Sequence, residues 1–183
     1  SASDLSITAT HVLNGGSGTL SAANQLAITL QGGTLDNRSG LIAARDVSIG
    51  GQGSIQNQSS VISGSKSASL TAGAVDNTSG VIESGSGGIR IDTQGQQLIN
   101  TASGTTRGIV SEGGIQIATG SLNNAGGYVG ANGYLGLTAS GGIDNRQGTL
   151  LGLQGGSVSA GGTLDNTSGS ISSAGNLSVS ANH

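Results

Sequence analysis

Eight asparagines recur along the chain: Asn14, Asn37, Asn57, Asn77, Asn100, Asn124, Asn145 and Asn166. The intervals between them are 23, 20, 20, 23, 24, 21 and 21 residues. Two residues before each stands an aliphatic side chain: Val12, Leu35, Ile55, Val75, Leu98, Leu122, Ile143 and Leu164. A near-constant period of this length marks a solenoid, in which each repeat is one coil stacked on the last. That constraint dominates all others. A unit so short cannot enclose a core alone, so its apolar residues must be covered by the units before and after it.

One coil shows how. Leu35-Asp36-Asn37 leads into a turn at Arg38-Ser39-Gly40; Leu41-Ile42-Ala43-Ala44 and Val47-Ser48-Ile49 follow, and Gly50-Gly51-Gln52-Gly53 turns the chain toward Ile55-Gln56-Asn57. Three short extended segments alternate with Gly-, Ser- and Asn-rich turns. Val47-Ser48-Ile49 alternates with period two, the mark of a half-buried strand. The second segment places Ile42, Ile62, Ile82, Val110, Val129, Leu150 and Ile171 at one inward position. The third carries Leu5/Ile7, Leu26/Ile28, Val47/Ile49, Ala68/Leu70, Ile89/Ile91, Ile115/Ile117, Leu135/Leu137 and Leu177/Val179. One coil offers Gly156/Val158 there, which predicts an under-filled layer. No apolar stripe of helical spacing is present, and Gly with β-branched residues works against helices. Stacked in register at ~4.8 Å, the three segments form three parallel sheets around a continuous core. Parallel crossovers are right-handed. The expected fold is an all-β, right-handed parallel β-helix of about eight coils, three short strands per coil, roughly 38 Å long.

Composition limits the function. Charged residues make up 8 % of the 183 residues, against roughly 25 % in ordinary soluble domains. Net charge is −3 and the six Lys and Arg are scattered, which disfavours nucleic acid as a partner. No apolar run is long enough to predict a transmembrane helix. There is no Cys, so disulfides do not staple the fold.

With the preceding aliphatic facing inward, strand alternation turns each asparagine inward too. A buried amide needs partners, and stacked Asn side chains supply them to one another and to turn backbone. The eight asparagines therefore read as a structural ladder, and Asn77→Ala is expected to cost ~1–3 kcal/mol. Between aliphatic and Asn lies an outward position, holding Leu13, Asp36, Gln56, Asp76, Ile99, Asn123, Asp144 and Asp165. Asp144 and Asp165 fall on adjacent coils, ~5 Å apart by strand spacing. Paired acids can cleave polysaccharides, so a β-helix hydrolase using Asp144/Asp165 is the alternative reading. No Lys or His stands at the matching position and no aromatic platform accompanies the pair. His11 and His183 lie near opposite ends of the chain, with no ligand set for a metal, and no cofactor motif is present. Leu41, Val61, Val81, Ile109 and Tyr128 read as the outward neighbours of the inward second-segment residues, an apolar strip that could serve as a contact surface.

The unit Gly-Gly-Thr-Leu-Asp-Asn-Arg-Ser-Gly-Leu-Ile-Ala-Ala (32–44) resembles the haemagglutinin repeats of filamentous haemagglutinin. So do Val75-Asp76-Asn77-Thr78-Ser79-Gly80-Val81-Ile82 and Leu164-Asp165-Asn166-Thr167-Ser168-Gly169-Ser170-Ile171. The likeness covers essentially the whole chain. It implies a two-partner secretion exoprotein of a Gram-negative bacterium, an adhesin or the stalk of a contact-dependent growth inhibition toxin. Such a protein is exported through an outer-membrane β-barrel transporter and displayed at the cell surface, where a receptor or glycan is a candidate partner. The family's secretion domain carries an Asn-Pro-Asn-Gly motif, and this sequence has no Pro. Residues 1–183 are therefore expected to be a single β-helical segment internal to a longer chain, without enzymatic activity.

Overall fold

The computed structural model describes residues 3–104 and 106–182; His183 lies outside them. The described residues contain twenty-three strands and no helix, so none that is long and apolar enough to cross a membrane. Pairing is parallel, and each strand lies beside the equivalent strand of the next coil. The result is a β-solenoid of about eight turns.

The strands leading into the asparagines, from Val12–Leu13 through Gln97–Ile99 to Leu164–Asp165, stack in chain order as an eight-stranded sheet. The other two faces were expected as separate sheets. They join into one fifteen-stranded sheet, because Leu41–Gly51 and Val61–Thr71 run unbroken round the corner between them. A register irregularity between Ala44 and Asp46 takes up the bend. At Gly64 a Cβ would overlap the Ser67 carbonyl oxygen, so the corner passes only with glycine there.

Register stacks like on like. On the third face Leu26 pairs with Val47, Val47 with Ala68, Ala68 with Ile89, Ile89 with Ile115 and Ile115 with Leu135. Slipping by one residue would exchange the inward and outward sets of a whole strand, so burial pins the register. A single apolar cluster runs the length of the rod, from Val12 and Leu26 to Val158 and Ala160.

Two expectations need correction. At Gly156 an added Cβ would come within 3.2 Å of Leu177 Cδ1, so the leucine of the next coil already leans into the layer expected to be under-filled. In the fifth coil Ile109, not Val110, points inward: it pairs with Ile82 and Val129 and is fully buried. Adjacent Ile109 and Val110 leave the alternation ambiguous in sequence. The preceding Gly108, at φ +118, sets the phase by entering the strand in a conformation that side chains rarely adopt.

Candidate functional site

The eight asparagines form one column through the rod. Each Nδ2 donates to the Oδ1 of the asparagine in the next coil, at 2.7–2.8 Å in all seven steps from Asn14 to Asn166. The six from Asn37 to Asn145 are completely shielded from solvent. The second Nδ2 hydrogen goes to backbone: Asn14 donates to the Leu41 carbonyl at 3.0 Å, Asn57 to Val81 at 3.1 Å and Asn100 to Tyr128 at 3.0 Å. Every amide points the same way, so each carbonyl accepts from the coil before while its amino group donates onward.

The turn after each asparagine is built from three further residues. The left-handed backbone conformation falls two residues after Asn, not on Asn itself: Ser39, Ser59, Ser79, Ala102, Gln147 and Ser168 have φ between 53 and 57°, and Gly126 is at 60°. One residue later stands glycine in most coils. At Gly80 a Cβ would overlap the Asn57 carbonyl oxygen and sit against Asn77 Oδ1. Serine takes this place in three coils, as Ser17, Ser60 and Ser103, and the Ser60 hydroxyl donates to Asn57 Oδ1 at 2.7 Å. The outward acid one residue before Asn closes the turn from outside. Asp36, Asp76, Asp144 and Asp165 each accept the backbone N–H two residues on, at 2.9–3.1 Å. Asn123 does the same for Ala125.

This explains the acids that suggested catalysis. Asp144 receives a bidentate pair from Arg146, Nε to Oδ1 at 2.9 Å and Nη2 to Oδ2 at 2.6 Å. Asp165 Oδ2 lies 3.7 Å from the same Nε. The positive charge stands on the residue after Asn rather than at the matching strand position. The hydrogen bond from the Arg146 side chain lowers the Asp144 carboxyl below its ordinary range, and hydrogen bonding from Thr167 lowers Asp165. A general acid needs a raised pKa, so the pair does not favour acid catalysis. Among the described residues no three His, Asp or Glu side chains are grouped to hold a metal.

The expected apolar strip is interrupted. Leu41 is 37 % exposed and Val61 half-buried, but Val81 is buried at 7 % and Ile109 lies in the core. Tyr128 is half-buried, and its ring lies over Gly130, whose missing side chain leaves room for it. Gly130 sits between Val110 and Leu151 on the outer face. The continuous outward apolar surface is therefore Tyr128, Val110 and Leu151, with Leu153 exposed nearby.

The family model for the haemagglutinin repeat matches residues 1–59, 31–105 and 95–183, which together span the chain. The chain belongs to the haemagglutinin-repeat family. No curated protein and no solved structure matched it. Its repeats place it with adhesin-type stalk proteins, a class that is secreted or held at the cell surface.

In this haemagglutinin repeat, sequence reasoning placed a turn after the asparagine but missed how that turn is closed. The signal was present in Asp-Asn-Thr-Ser-Gly: an acid poised to cap the turn, a left-handed position and a close approach. It also missed two buried hydroxyl pairs. Ser84 and Ser111 Oγ atoms lie 2.9 Å apart, as do Thr93 and Thr119 Oγ1. Ser and Thr are so common in the outward rows that nothing marks these four as buried. The insertion after Asn100 supplies Ser103, whose Oγ accepts the Tyr128 N–H at 2.9 Å.

Proposed function

We propose that this chain is a stalk segment of a large two-partner secretion exoprotein displayed by a Gram-negative bacterium. It extends a distal part of the protein away from the cell, in an adhesin or a contact-dependent growth inhibition system. The observation that carries the reading is the repeating ladder itself. Every coil is held to the next by the same amide step and the same parallel pairing, so length can be added without changing the interface. Such a rod folds coil by coil. At ~0.05–0.15 kcal/mol per residue, a coil of about 21 residues contributes roughly 1–3 kcal/mol, a bias outward as the chain leaves an outer-membrane β-barrel transporter.

Two measurements test this. Excising residues 57–99 removes two whole repeats; a spacer should still be exported and should shorten by ~10 Å, with distal function retained. Loss of export or folding on that in-register deletion would count against interchangeable coils. A combined Asn57→Ala, Asn77→Ala, Asn100→Ala chain should be secreted more slowly, and unchanged secretion would remove folding as the driver. The patch at Tyr128, Val110 and Leu151 supports a second role in contact with a surface receptor. Labelled protein should then bind target cells saturably and lose that binding on Tyr128→Ser.

A further inference from the structure

Asparagine is a chemically labile residue, and two asparagines in this chain are followed by glycine, Asn14 and Asn132. In such a pair the backbone nitrogen of the second residue can attack the side-chain carbonyl carbon of the first, because glycine carries no side chain to obstruct the approach. The reaction needs a backbone N–H that is not held elsewhere and an amide able to turn toward it. At Asn132 the nitrogen is withheld. The residue is exposed, but Gly133 N donates to the Gly113 carbonyl at 2.9 Å, at the corner between the second and third faces. A Cβ on Gly133 would lie 2.8 Å from Gly114 N and 2.9 Å from the Gly113 carbonyl carbon, so the backbone there has no room to move.

At Asn14 the nitrogen is not held. In five coils the residue before the ladder asparagine takes this N–H: Asp36, Asp76, Asn123, Asp144 and Asp165 each accept it through Oδ1, at 2.9–3.1 Å. Leu13 stands in that place in the first coil, 83 % exposed, and among the described residues the Gly15 N–H has no acceptor. Asn57 and Asn100 also lack the cap, but they are followed by Gln58 and Thr101, whose side chains hinder the attack. The turn itself is looser. Thr19, five residues after Asn14, pairs with Leu41, four residues after Asn37. The extra residue gives two successive left-handed positions, Gly16 at φ 62° and Ser17 at φ 73°. The ladder opposes the reaction, since Asn14 Nδ2 donates to Asn37 Oδ1 at 2.7 Å and to the Leu41 carbonyl at 3.0 Å. Asn14 is also the least shielded of the buried ladder asparagines, 5 % exposed where Asn37 to Asn145 show none.

We infer that Asn14 is a self-modification site of the rod, converted through a cyclic imide with water as the only co-reactant. Gly15 N gives up its proton and bonds to Asn14 Cγ; the Cγ–Nδ2 bond breaks and ammonia leaves with that proton. Water then opens the ring, at Cγ to give aspartate or at the backbone carbonyl carbon to give isoaspartate. Either product puts an acceptor-only carboxylate where an amide donated, so oxygen faces Asn37 Oδ1 and the first step of the column is lost. The inference goes beyond the stalk reading and does not depend on export, so either can fail alone. The test is prolonged incubation of the folded protein in mildly alkaline buffer, followed by peptide mass mapping and isoaspartate detection. Asn14 should convert ahead of Asn132 and of every other ladder asparagine. In urea, where cap and ladder are gone, Asn14 and Asn132 should convert at comparable rates. Leu13→Asp supplies the missing cap and should slow conversion of Asn14 roughly fivefold, the hold of one hydrogen bond. Leu13→Asp with Gly15→Arg gives the first coil the Asp-Asn-Arg of 36–38 and should abolish it. Amide exchange on the converted protein, and on Asn14→Asp made directly, should show protection lost in Asp4–Ala9 and Val12–Leu13. Each variant's thermal midpoint reports folding separately. Conversion of Asn132 before Asn14 in the folded protein, an Asn14 lead that persists in urea, or a folded Leu13→Asp variant converting at the parent rate would overturn the assignment.

Discussion

Replacing Asn77 with alanine should cut the rod at its middle. Asn77 is completely buried, accepts from Asn57 Nδ2 at 2.7 Å, and donates to Asn100 Oδ1 at 2.8 Å and to the Gly80 carbonyl at 3.3 Å. Its removal leaves Asn57 with the Val81 carbonyl as its remaining amide partner and takes the ladder donor from Asn100 Oδ1. Each buried polar group left short of a partner costs ~1–3 kcal/mol, and three are affected unequally, the Gly80 carbonyl losing only a 3.3 Å bond, so the loss should be about 2–4 kcal/mol. One coil contributes roughly 1–3 kcal/mol; the lesion is as large as a coil's own share, and the two halves of the rod should begin to melt apart. For a chain of this length about 2–4 °C is lost per kcal/mol, giving a fall of roughly 5–15 °C with a broadened transition. Far-UV circular dichroism against temperature, repeated in urea, reads both. The internal comparison is Asn166→Ala. Asn166 is only partly buried, and its removal leaves Asn145 still bonded to the Gly148 and Ser170 carbonyls, so the shift should be less than half as large. A midpoint for Asn77→Ala within about 2 °C of the parent, or equal shifts for the two variants, would refute the cooperative ladder.

The turn and the surface acids make three further predictions. Gln147→Gly should raise stability by about 0.5–1 kcal/mol in urea melts, because φ at Gln147 is 56° and the relief of left-handed strain exceeds the entropy cost of glycine; a loss of stability would contradict this. Gly127→Ala should cost about 1–3 kcal/mol by overpacking, since its Cβ would strike the Asn100 carbonyl oxygen and approach Asn124 Oδ1 to 2.6 Å; Gly127→Ser should be milder, following Ser60, and the reverse order would be evidence against the proposed contact. Hydrogen bonds from Arg38 lower the Asp36 carboxyl from 3.8 to about 2. A depressed carboxylate stabilises the fold above its unfolded pKa and loses that contribution as pH falls through the folded one. The loss should therefore lie between about pH 4 and pH 2, remain small because the pair is exposed, and vanish from acid melts of Asp36→Asn.

Much of the molecule was legible because a solenoid repeats its constraints. The inward pairs of the third face, such as Val47/Ile49 and Ile115/Ile117, were readable because period-two alternation recurs in coil after coil, and one ambiguous coil is corrected by its neighbours. Ile109 escaped this correction. The longer turn after Asn100 breaks the count, and two adjacent aliphatics offer both phases. The candidate surfaces were harder to read still. Outward residues carry no packing constraint, so Asp144 and Asp165 left a hydrolase open as the alternative reading, and the sequence did not show that Arg146, two residues after Asp144, pairs with one and lies 3.7 Å from the other.

The sequence by itself determined the coil period, the inward aliphatics and the spacing of the asparagines, because the hydrophobic pattern and the turn residues act within one repeat or between equivalent positions. Only the tertiary structure decided the phase at Ile109, the fusion of two faces through Leu41–Gly51 and Val61–Thr71, and the partners of each surface charge. Those depend on where one coil comes to rest on the next. That placement is a balance of turn length, close backbone approach and side-chain fit, and no single repeat contains it.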